Sequence, residues 1–252
     1  MKETYRERFY RGWCAPEGLV RFRVCIKESD LLLAARRDLS AEARRELARA
    51  RGELERYIER DPGFARALAP YRPRGRAPAV ARRMARAAAA CGVGPMAAVA
   101  GALAEEVGRA LLSRTPEVIV ENGGDVFALL QRPLLLALYA GRQGPLLPVE
   151  LAAPREGAGV ASSSARIGPS LSFGRAELAM VAARDAALAD AAATALGNRI
   201  RTPRDLAPAL RWVLGIEGVL GAAAVCGGRT ALAGPALRIP EGEPGSVGAG
   251  AG

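Results

Sequence analysis

The hydrophobic pattern of this chain changes its period near Thr115, and this change limits the fold class more than any other feature. Before it, helical spacing predicts three helices, at residues 40–60 with Ser40 as N-cap, at 79–91 and at 95–113. After it, short apolar runs predict a helix at 185–198 and strands at 118–122, within 125–153, at 177–183 and within 216–239. A strand pattern with a hairpin turn near Pro16–Gly18 precedes the helices. We therefore expect an α+β fold, with antiparallel strands and helices on one face.

The size and composition of the chain favour one folded domain. Of its 252 residues, half are hydrophobic and a quarter are charged, which is the balance of a globular protein. We expect a domain over residues 1–239 and a flexible glycine-rich tail over 240–252. No uncharged apolar stretch approaches the roughly 20 residues of a membrane-spanning helix. The charged N-terminus also lacks the apolar region of a secretory signal, so a cytoplasmic protein without a membrane partner is expected.

The net charge of +10 raises the question of a nucleic-acid partner. Only two of the 36 basic residues are lysine, however, and arginine is scattered along the chain except in Arg36–Arg86. The composition therefore favours an arginine-rich surface over a nucleic-acid site. RNA binding through Arg36–Arg86, with a steep dependence on salt, stays open as an alternative.

The chain contains no histidine, which excludes serine–histidine and cysteine–histidine catalysis and histidine-ligated zinc. Its four cysteines, Cys14, Cys25, Cys91 and Cys226, form no C-x-x-C pair, so zinc is disfavoured and reduced thiols are expected. Acid–base chemistry must therefore use carboxylates, water or a metal.

The first of four polar motifs is CGVGPM at residues 91–96. Gly92 and Gly94 precede Pro95, which is expected at the first helical position. A glycine turn that leads into a helix presents backbone N–H groups and suits a phosphate. The alternative is an ordinary turn between helices. A Rossmann fingerprint is excluded because that motif must follow a strand.

Two further motifs lie among the predicted strands. ENGGD, at 121–125, is either an ordinary turn or a place where Gly123 and Gly124 let a ligand approach the backbone, flanked by Glu121 and Asp125. The segment 159–174 is predicted to be a serine-rich loop after a strand. Its hydroxyl and N–H groups are suited to phosphate or ribose, and a flexible loop without a ligand is the alternative.

The fourth motif is ALADAAATALGN, at 187–198, a predicted helix of alanine and leucine that carries Asp190 and Thr194. These residues are four apart and share one face, which Asn198 continues. Oxygen ligands without histidine or thiolate favour Mg²⁺ over zinc, and the small neighbouring residues leave room for a ligand. In the alternative, Thr194 bonds back to its helix and Asp190 is exposed on the surface.

The ordered set of motifs resembles the ApbE-like flavin transferase superfamily, whose members bind FAD and Mg²⁺ and move FMN to a protein threonine. Its A-D-A-L-A-T-A-L signature is similar to Ala189–Leu196. Its N-x-G-G-[DE] and T-S-G motifs resemble Asn122–Asp125 and Ala161–Ser164. A short bacterial and archaeal branch is the closer match. The segments that resemble its motifs are spread along the chain: Tyr5–Arg11, Gly92–Glu105, Val118–Asp125, Ser170–Gly174 and Leu188–Asn198.

This resemblance implies a T-fold-like α+β domain that binds FAD, with Mg²⁺ held by Asp190 and Thr194. The implied nucleotide-binding residues come from three motifs: Gly92, Gly94, Asn122, Gly123, Gly124, Ser162, Ser163 and Ser164. If the chain is catalytic, Asp125 or Glu121 is implied as the acceptor of the threonine proton, and Asp190 is the other carboxylate considered for this role.

Two departures from the superfamily pattern leave transfer in question. Ala100 stands where the full transferases have lysine, and Pro169 stands where the short branch often has histidine. A non-catalytic flavin binder and an interaction protein that keeps only the fold are therefore alternatives. The implied partners are a flavin nucleotide and an acceptor protein, and the alanine-rich helices are compatible with a homodimer.

Overall fold

Alternating apolar side chains build two antiparallel sheets in the computed structural model, which describes residues 18–139, 146–164 and 174–240. The larger sheet has the strand order β1-β2-β3-β4-β7-β8-β9-β10 and the smaller one β11-β6-β5. The strands are β1 (Val20–Ile26), β2 (Ser29–Ala35), β3 (Val118–Asn122), β4 (Asp125–Leu129), β5 (Leu134–Tyr139), β6 (Leu146–Leu151), β7 (Ala158–Ser163), β8 (Leu178–Ala183), β9 (Val219–Cys226), β10 (Arg229–Ala233) and β11 (Leu237–Arg238).

The helices pack on one face of the larger sheet, and the smaller sheet covers the other. Successive side chains of a strand point to opposite faces, so Leu33 of β2 lies in the helix-side core while Ala34 lies in the core between the sheets. The predicted single-domain α+β fold is confirmed. The helices are α1 (Ser40–Arg60), α2 (Pro62–Arg66), α3 (Ala79–Cys91), α4 (Val99–Leu111), α5 (Ala186–Arg199) and α6 (Leu206–Leu214), with 3-10 turns at Pro95–Ala98 and Pro203–Asp205.

Helix α5 lies closest to the centre, because two glycines let neighbouring elements approach its first turn. A Cβ atom on Gly101 of α4 would lie 2.1 Å from the carbonyl oxygen of Ala186, and one on Gly159 of β7 would lie 2.2 Å from the Ala186 Cα. Neither contact is tolerable, so only glycine fits at these positions. Helix α5 is therefore clamped between α4 and the sheet.

Several local predictions differ from the structure. The hairpin turn predicted near Pro16–Gly18 falls almost entirely outside the described residues. The first described hairpin, between β1 and β2, turns at Lys27–Glu28, with Lys27 at a φ of 51°. Leu39 rather than Ser40 is the N-cap of α1, and the Ser40 amide donates to Asp38 Oδ1 at 2.8 Å. Helices α2 and α6 and strand β7 were not predicted. Tyr5–Arg11, Cys14, most of Ser170–Gly174 and the tail lie outside the described residues.

Among the described residues, no single helix has the length and apolarity needed to span a membrane. The pair Ala79–Cys91 and Pro95–Leu111 reaches that length and composition only when both are taken together, and it bends by 104° between them.

Candidate functional site

The glycine turn between α3 and α4 is explained by packing within the chain. Gly92 ends α3 in the left-handed region, at a φ of 72°, which is the usual role of glycine after a helix. Gly94 is buried, and a Cβ atom there would lie 1.8 Å from the carbonyl oxygen of Ala67. The turn follows helix α3 and not a strand, which agrees with the exclusion of a Rossmann motif. The structure thus favours the ordinary-turn alternative for Gly94, while Gly92 stays exposed.

The first turn of α4 binds the carboxylate of the fourth motif. The Gly101 amide donates to Asp190 Oδ2 at 3.0 Å. Burial raises the pKa of Asp190 to about 7, against the opposing effect of the Gly101 and Ala100 amides. Asp190 is therefore not the exposed surface carboxylate of the alternative interpretation. It is a half-buried acid that costs free energy to ionise unless a cation lies beside it.

The stripe predicted on α5 is present in the structure. Asp190, Thr194 and Asn198 are half-buried, whereas the residues between them are buried. The helical period places them on one face. Through this face the otherwise largely buried helix α5 is partly exposed to solvent.

The ENGGD motif forms a two-residue hairpin turn between β3 and β4. Asn122 pairs with Asp125, and Gly123 and Gly124 have φ values of 74° and 107°, which a type I′ turn requires. Glu121 Oε1 accepts from the Gly124 amide at 2.8 Å. The ordinary-turn interpretation thus accounts for both glycines, although it does not account for the contact that Asn122 makes.

Asn122 links this turn to α4. Its Nδ2 donates to the carbonyl oxygen of Ala100 at 3.1 Å, one residue before the amide that binds Asp190. Asn122, Glu121 and Asp125 are all buried. The two proposed catalytic carboxylates therefore lie at the base of the turn.

The serines lie on a strand, and the prediction of a loop for this part of 159–174 is wrong. Ser162 and Ser163 end β7, and Ser164 follows it with its hydroxyl donating to the carbonyl of Glu177 at 2.6 Å. A Cβ atom on Gly124 would lie 3.2 Å from Ser162 Oγ, and one on Gly197 would lie 3.7 Å from Ser163 Oγ. Ser162 is exposed beside the glycine turn, and Ser163 is buried against α5. The last residues of this motif, 165–173, lie outside the described part of the chain.

The structure therefore brings all four motifs together, although they are spread over about a hundred residues. Asp190 and Asn122 both bind the start of α4, Ser162 lies beside Gly124, and Ser163 lies beside α5. The first motif joins them through its last residues, because the 3-10 turn Pro95–Ala98 packs against α5. Of the predicted site residues, Gly94 and Ser164 are engaged elsewhere, and Gly92 is exposed with open space where a Cβ atom would lie. We refer to this meeting point of α4, α5, the β3–β4 turn and the end of β7 as the four-motif junction.

The donors on α5 fit a magnesium ion that arrives with a phosphate ligand. Asp190 supplies a carboxylate and Thr194, one turn later, a hydroxyl. Across the described ranges, no group of three or more aspartate, glutamate or cysteine side chains is arranged to hold a metal. Mg²⁺ keeps several waters and commonly takes one or two carboxylates plus phosphate oxygens, so a small donor set of this kind suits it.

A buried carboxylate that was not predicted as a site residue holds α5 in place. Glu105 Oε2 accepts from the Ala186 amide at 2.8 Å, at the start of α5. Its Oε1 atom accepts from Arg83 and from Arg109, each at 2.6 Å. Glu105 is thus a positioning residue for the helix that carries Asp190. The signal in the sequence was a pair of acids, Glu105 and Glu106, after the apolar run 99–104, of which only Glu105 is buried.

Known proteins support both the fold and the family. A family model described as "AbpE bacteria" matches residues 11–228. A UPF0280 protein of Methanocella arvoryzae is 43% identical over 196 residues, which cover 77% of this chain and 78% of that protein. A UPF0280 protein of Methanosphaerula palustris is 41% identical over 215 residues, covering 83% and 89%.

Two solved structures share the architecture. The flavin transferase ApbE from Vibrio cholerae aligns with a TM-score of 0.53 at 13% identity, over 87% of this chain and 97% of that one. The flavinyl transferase ApbE from Pseudomonas stutzeri aligns with a TM-score of 0.53 at 14% identity, over 86% and 94%. At this identity the likeness concerns the fold.

Proposed function

This chain belongs to the AbpE bacteria family, and from that premise and the four-motif junction we propose that it binds a flavin nucleotide, FAD, together with Mg²⁺. Transfer of FMN from FAD to a threonine of an acceptor protein is the reaction that this site would serve. The two solved structures with the same fold are named flavin and flavinyl transferases, and the ApbE-like resemblance of the sequence is confirmed at the level of the superfamily.

One observation carries the proposal: the junction gathers the polar residues of three distant motifs around a half-buried acid, at the start of the helix that follows the first motif. The Asp190–Gly101 and Asn122–Ala100 hydrogen bonds fix the start of α4 against both α5 and the β3–β4 turn. A fold kept only for packing would not need a carboxylate at this place, because burying an acid costs free energy. A cation and an anionic ligand would compensate for that cost.

Each part of the junction has a distinct task in this proposal. Asp190 and Thr194 hold Mg²⁺, which would neutralise charge on the FAD phosphates as they separate. The exposed Ser162 hydroxyl and the adjacent Gly124 backbone supply polar contacts for the nucleotide. Gly92, which is exposed, and the turn residues Asn122 and Gly123 complete the predicted nucleotide-binding set.

Proton removal from an acceptor threonine would fall to a carboxylate at the β3–β4 turn. Asp125 and Glu121 flank the two glycines, and both are buried. Glu121 already accepts a hydrogen bond from the Gly124 amide, so it orients the turn. We propose Asp125 as the general base and Glu121, which orients the turn, as the second candidate.

A non-catalytic flavin binder is the second candidate, and the uncharged side chain of Ala100 favours it. Ala100 is half-buried at the junction, next to the amide that binds Asp190. The transferase pattern has a lysine there, and a methyl group cannot replace its charge. Binding would survive this loss better than transfer would.

The test is a titration of FAD, followed by quenching of its fluorescence, with and without Mg²⁺. The wild-type protein is expected to bind at micromolar concentration only when Mg²⁺ is present. Asp190→Ala is expected to abolish the effect of Mg²⁺, whereas Glu59→Ala, an exposed acid on α1, leaves it unchanged. Equal FAD affinity in wild type and Asp190→Ala, with the metal present, would refute the metal assignment.

Transfer is measured separately, as covalent flavin on a threonine-bearing acceptor protein. Covalent flavin that is lost in Asp125→Asn, with FAD binding retained, supports the transferase. Flavin binding without any covalent product supports the non-catalytic binder, and no flavin binding by the wild type supports a protein that keeps only the fold.

A further inference from the structure

A groove of about 710 Å³ lies on the helix side of the molecule, away from the polar stripe of α5. One wall is the linker of residues 70–77, and the other is the outer face of α3, from Arg82 to Ala89. Four arginines line it, two on each wall: Arg72 and Arg76 on the linker, and Arg82 and Arg86 on α3. None of the described residues that line the groove is acidic.

These four guanidinium groups are not neutralised by neighbouring acids. Within the described part of the chain, none of them lies within ion-pair distance of a carboxylate. Other arginines of the basic segment do form such pairs, namely Arg36, Arg49, Arg51 and Arg83. The groove therefore brings together four arginines of segment 36–86 that have no carboxylate partner among the described residues, whereas other arginines without such a partner, among them Arg45 and Arg56, lie outside its lining.

The linker wall is held in a fixed position by buried polar contacts. The Tyr71 hydroxyl donates to Asp61 Oδ1 at 2.7 Å, and the Arg74 amide donates to Asp61 Oδ2 at 3.1 Å. Arg82 Nη1 also donates to the carbonyl of Ala77, at 2.5 Å, which joins the two walls. A site whose walls are already ordered loses less entropy when a ligand binds.

The spacing of the arginines fits an extended polypeptide. Arg82 and Arg86 are one helical turn apart, or roughly 6 Å along α3. Alternate side chains of an extended chain are about 6.6 Å apart and point the same way. Two acidic residues at positions i and i+2 would therefore meet both arginines, and carboxylates form strong paired hydrogen bonds with guanidinium groups.

The groove is continuous with the chain segment that leads to the four-motif junction. Ala89, at its end, lies in the last turn of α3, next to the Gly92–Gly94 turn from which α4 begins. Three residues before the other wall begins, the carbonyl of Ala67 lies against Gly94. A polypeptide in the groove would thus approach the proposed flavin site from the α3 side.

We propose that this groove binds an extended, carboxylate-rich segment of the acceptor protein. The inference rests on the proposed transfer function for the identity of the partner, and on the arginines alone for its charge. It assigns the recognition of the acceptor to Arg72, Arg76, Arg82 and Arg86, which lie outside the four motifs.

The groove is less suited to single-stranded nucleic acid. Such sites use exposed aromatic rings on which successive bases stack. Tyr71 is the one aromatic residue of the lining. Its hydroxyl is bound to Asp61, and its ring packs edge-on against Phe64, with the centroids 6.2 Å apart. Apart from the four arginines, the other lining residues are proline, alanine and glycine, which offer no aromatic ring to a base.

The test uses a fluorescein-labelled ten-residue peptide that alternates glutamate with alanine, with fluorescence anisotropy as the readout. The double variant Arg82→Gln/Arg86→Gln is expected to bind it at least about tenfold more weakly than wild type. The matched control, Arg45→Gln/Arg56→Gln, removes the same charge from exposed positions of α1 and should stay within about twofold. Arg86→Gln alone leaves the Arg82–Ala77 contact intact, so a loss there cannot come from a loosened linker.

Three comparisons decide the outcome. Equal peptide affinity in wild type and the double variant overturns the proposal, and so does tighter binding of a ten-nucleotide oligouridine, which would make the groove a nucleic-acid site. FAD is also titrated with Mg²⁺ in the same variants. If the arginine substitutions abolish FAD binding, the groove belongs to the nucleotide site, and this result also overturns the proposal. Arginine-dependent peptide binding by a protein that binds no FAD would support the acidic-segment site while the proposed flavin function fails.

Discussion

At the scale of single residues, Asp190 is the side chain whose ionisation matters most. Burial raises its pKa from 3.8 to about 7. In the unfolded chain the group is ionised above about pH 4, whereas the folded protein keeps the proton up to about pH 7. Over this range the folded state binds more protons, so the contribution of Asp190 to the free energy of unfolding falls as the pH rises and then levels off.

This sign gives a prediction for the metal-free protein. Between about pH 4 and pH 7 the wild type should lose stability relative to Asp190→Asn, because the asparagine has no proton to release. Urea denaturation of both proteins at several pH values measures the difference. A constant difference across the range would show that Asp190 ionises as freely in the folded protein as in water.

The residues of α5 show which part of the site could be predicted from sequence. Asp190, Thr194 and Asn198 were placed on one face because helical periodicity fixes their directions, and the structure shows that stripe. The partners of Asp190 could not be predicted, because the Gly101 amide that binds it is 89 residues away. A local sequence pattern can predict which residues share a face of a helix, but only the packed fold determines which residues contact that face.

At the scale of elements, α4 and α5 approach each other closely because of Gly101. A methyl group there would lie 2.1 Å from the carbonyl oxygen of Ala186, so the helices would have to separate. Gly101→Ala should therefore destabilise the fold by about 1–3 kcal/mol, the usual cost of overpacking. It should also weaken FAD binding, because the Gly101 amide binds Asp190.

Gly52→Ala provides the matched control for this substitution. Gly52 lies within α1, and a methyl group there would meet only the mobile end of Arg56, at 3.2 Å. Alanine is favoured over glycine in a helix, so this variant should be more stable by about 0.5–1 kcal/mol. Urea denaturation of both variants gives the comparison. If the two substitutions change the free energy of unfolding equally, the α4–α5 contact can accommodate a methyl group at position 101.

The elements also differ in how well their sequences predict them. Helix α3 was predicted with its observed bounds, because alanine-rich helical spacing ends at a glycine that can adopt a left-handed conformation. Strand β7 was mistaken for a loop because glycine and serine are typical of loops. In the fold Gly159 is needed for the approach of α5, and Ser162 and Ser163 lie beside Gly124 and α5. The small residues of β7 are explained by the elements that pack against this strand. A local sequence pattern carries no information about those elements.

At the scale of the whole molecule, the change of hydrophobic period predicted the α+β class but not its layers. Helices on one face of the large sheet were expected. The small sheet on the other face depends on pairing between β11 and β6, which are far apart in sequence. Contacts of this kind leave no local signal, because each strand is compatible with many partners.

The layered architecture makes ligand binding a test of the whole fold. The four-motif junction joins the large sheet, through β3, β4 and β7, to the helical layer, through α4 and α5. A ligand that binds there only in the folded state stabilises every element that supplies a contact. At about 100 times its dissociation constant, FAD with Mg²⁺ should add about 2.7 kcal/mol to the free energy of unfolding.

For a chain of this length that gain corresponds to a rise in the melting temperature of about 5–10 °C. We expect the rise in the wild type and in Arg82→Gln/Arg86→Gln, because the groove arginines lie outside the junction. Asp190→Asn should show no rise, since it lacks the charge that holds the metal. Calorimetry with FAD and Mg²⁺, each added alone and together, measures the effect. A full shift with FAD alone would show that the nucleotide binds without the metal.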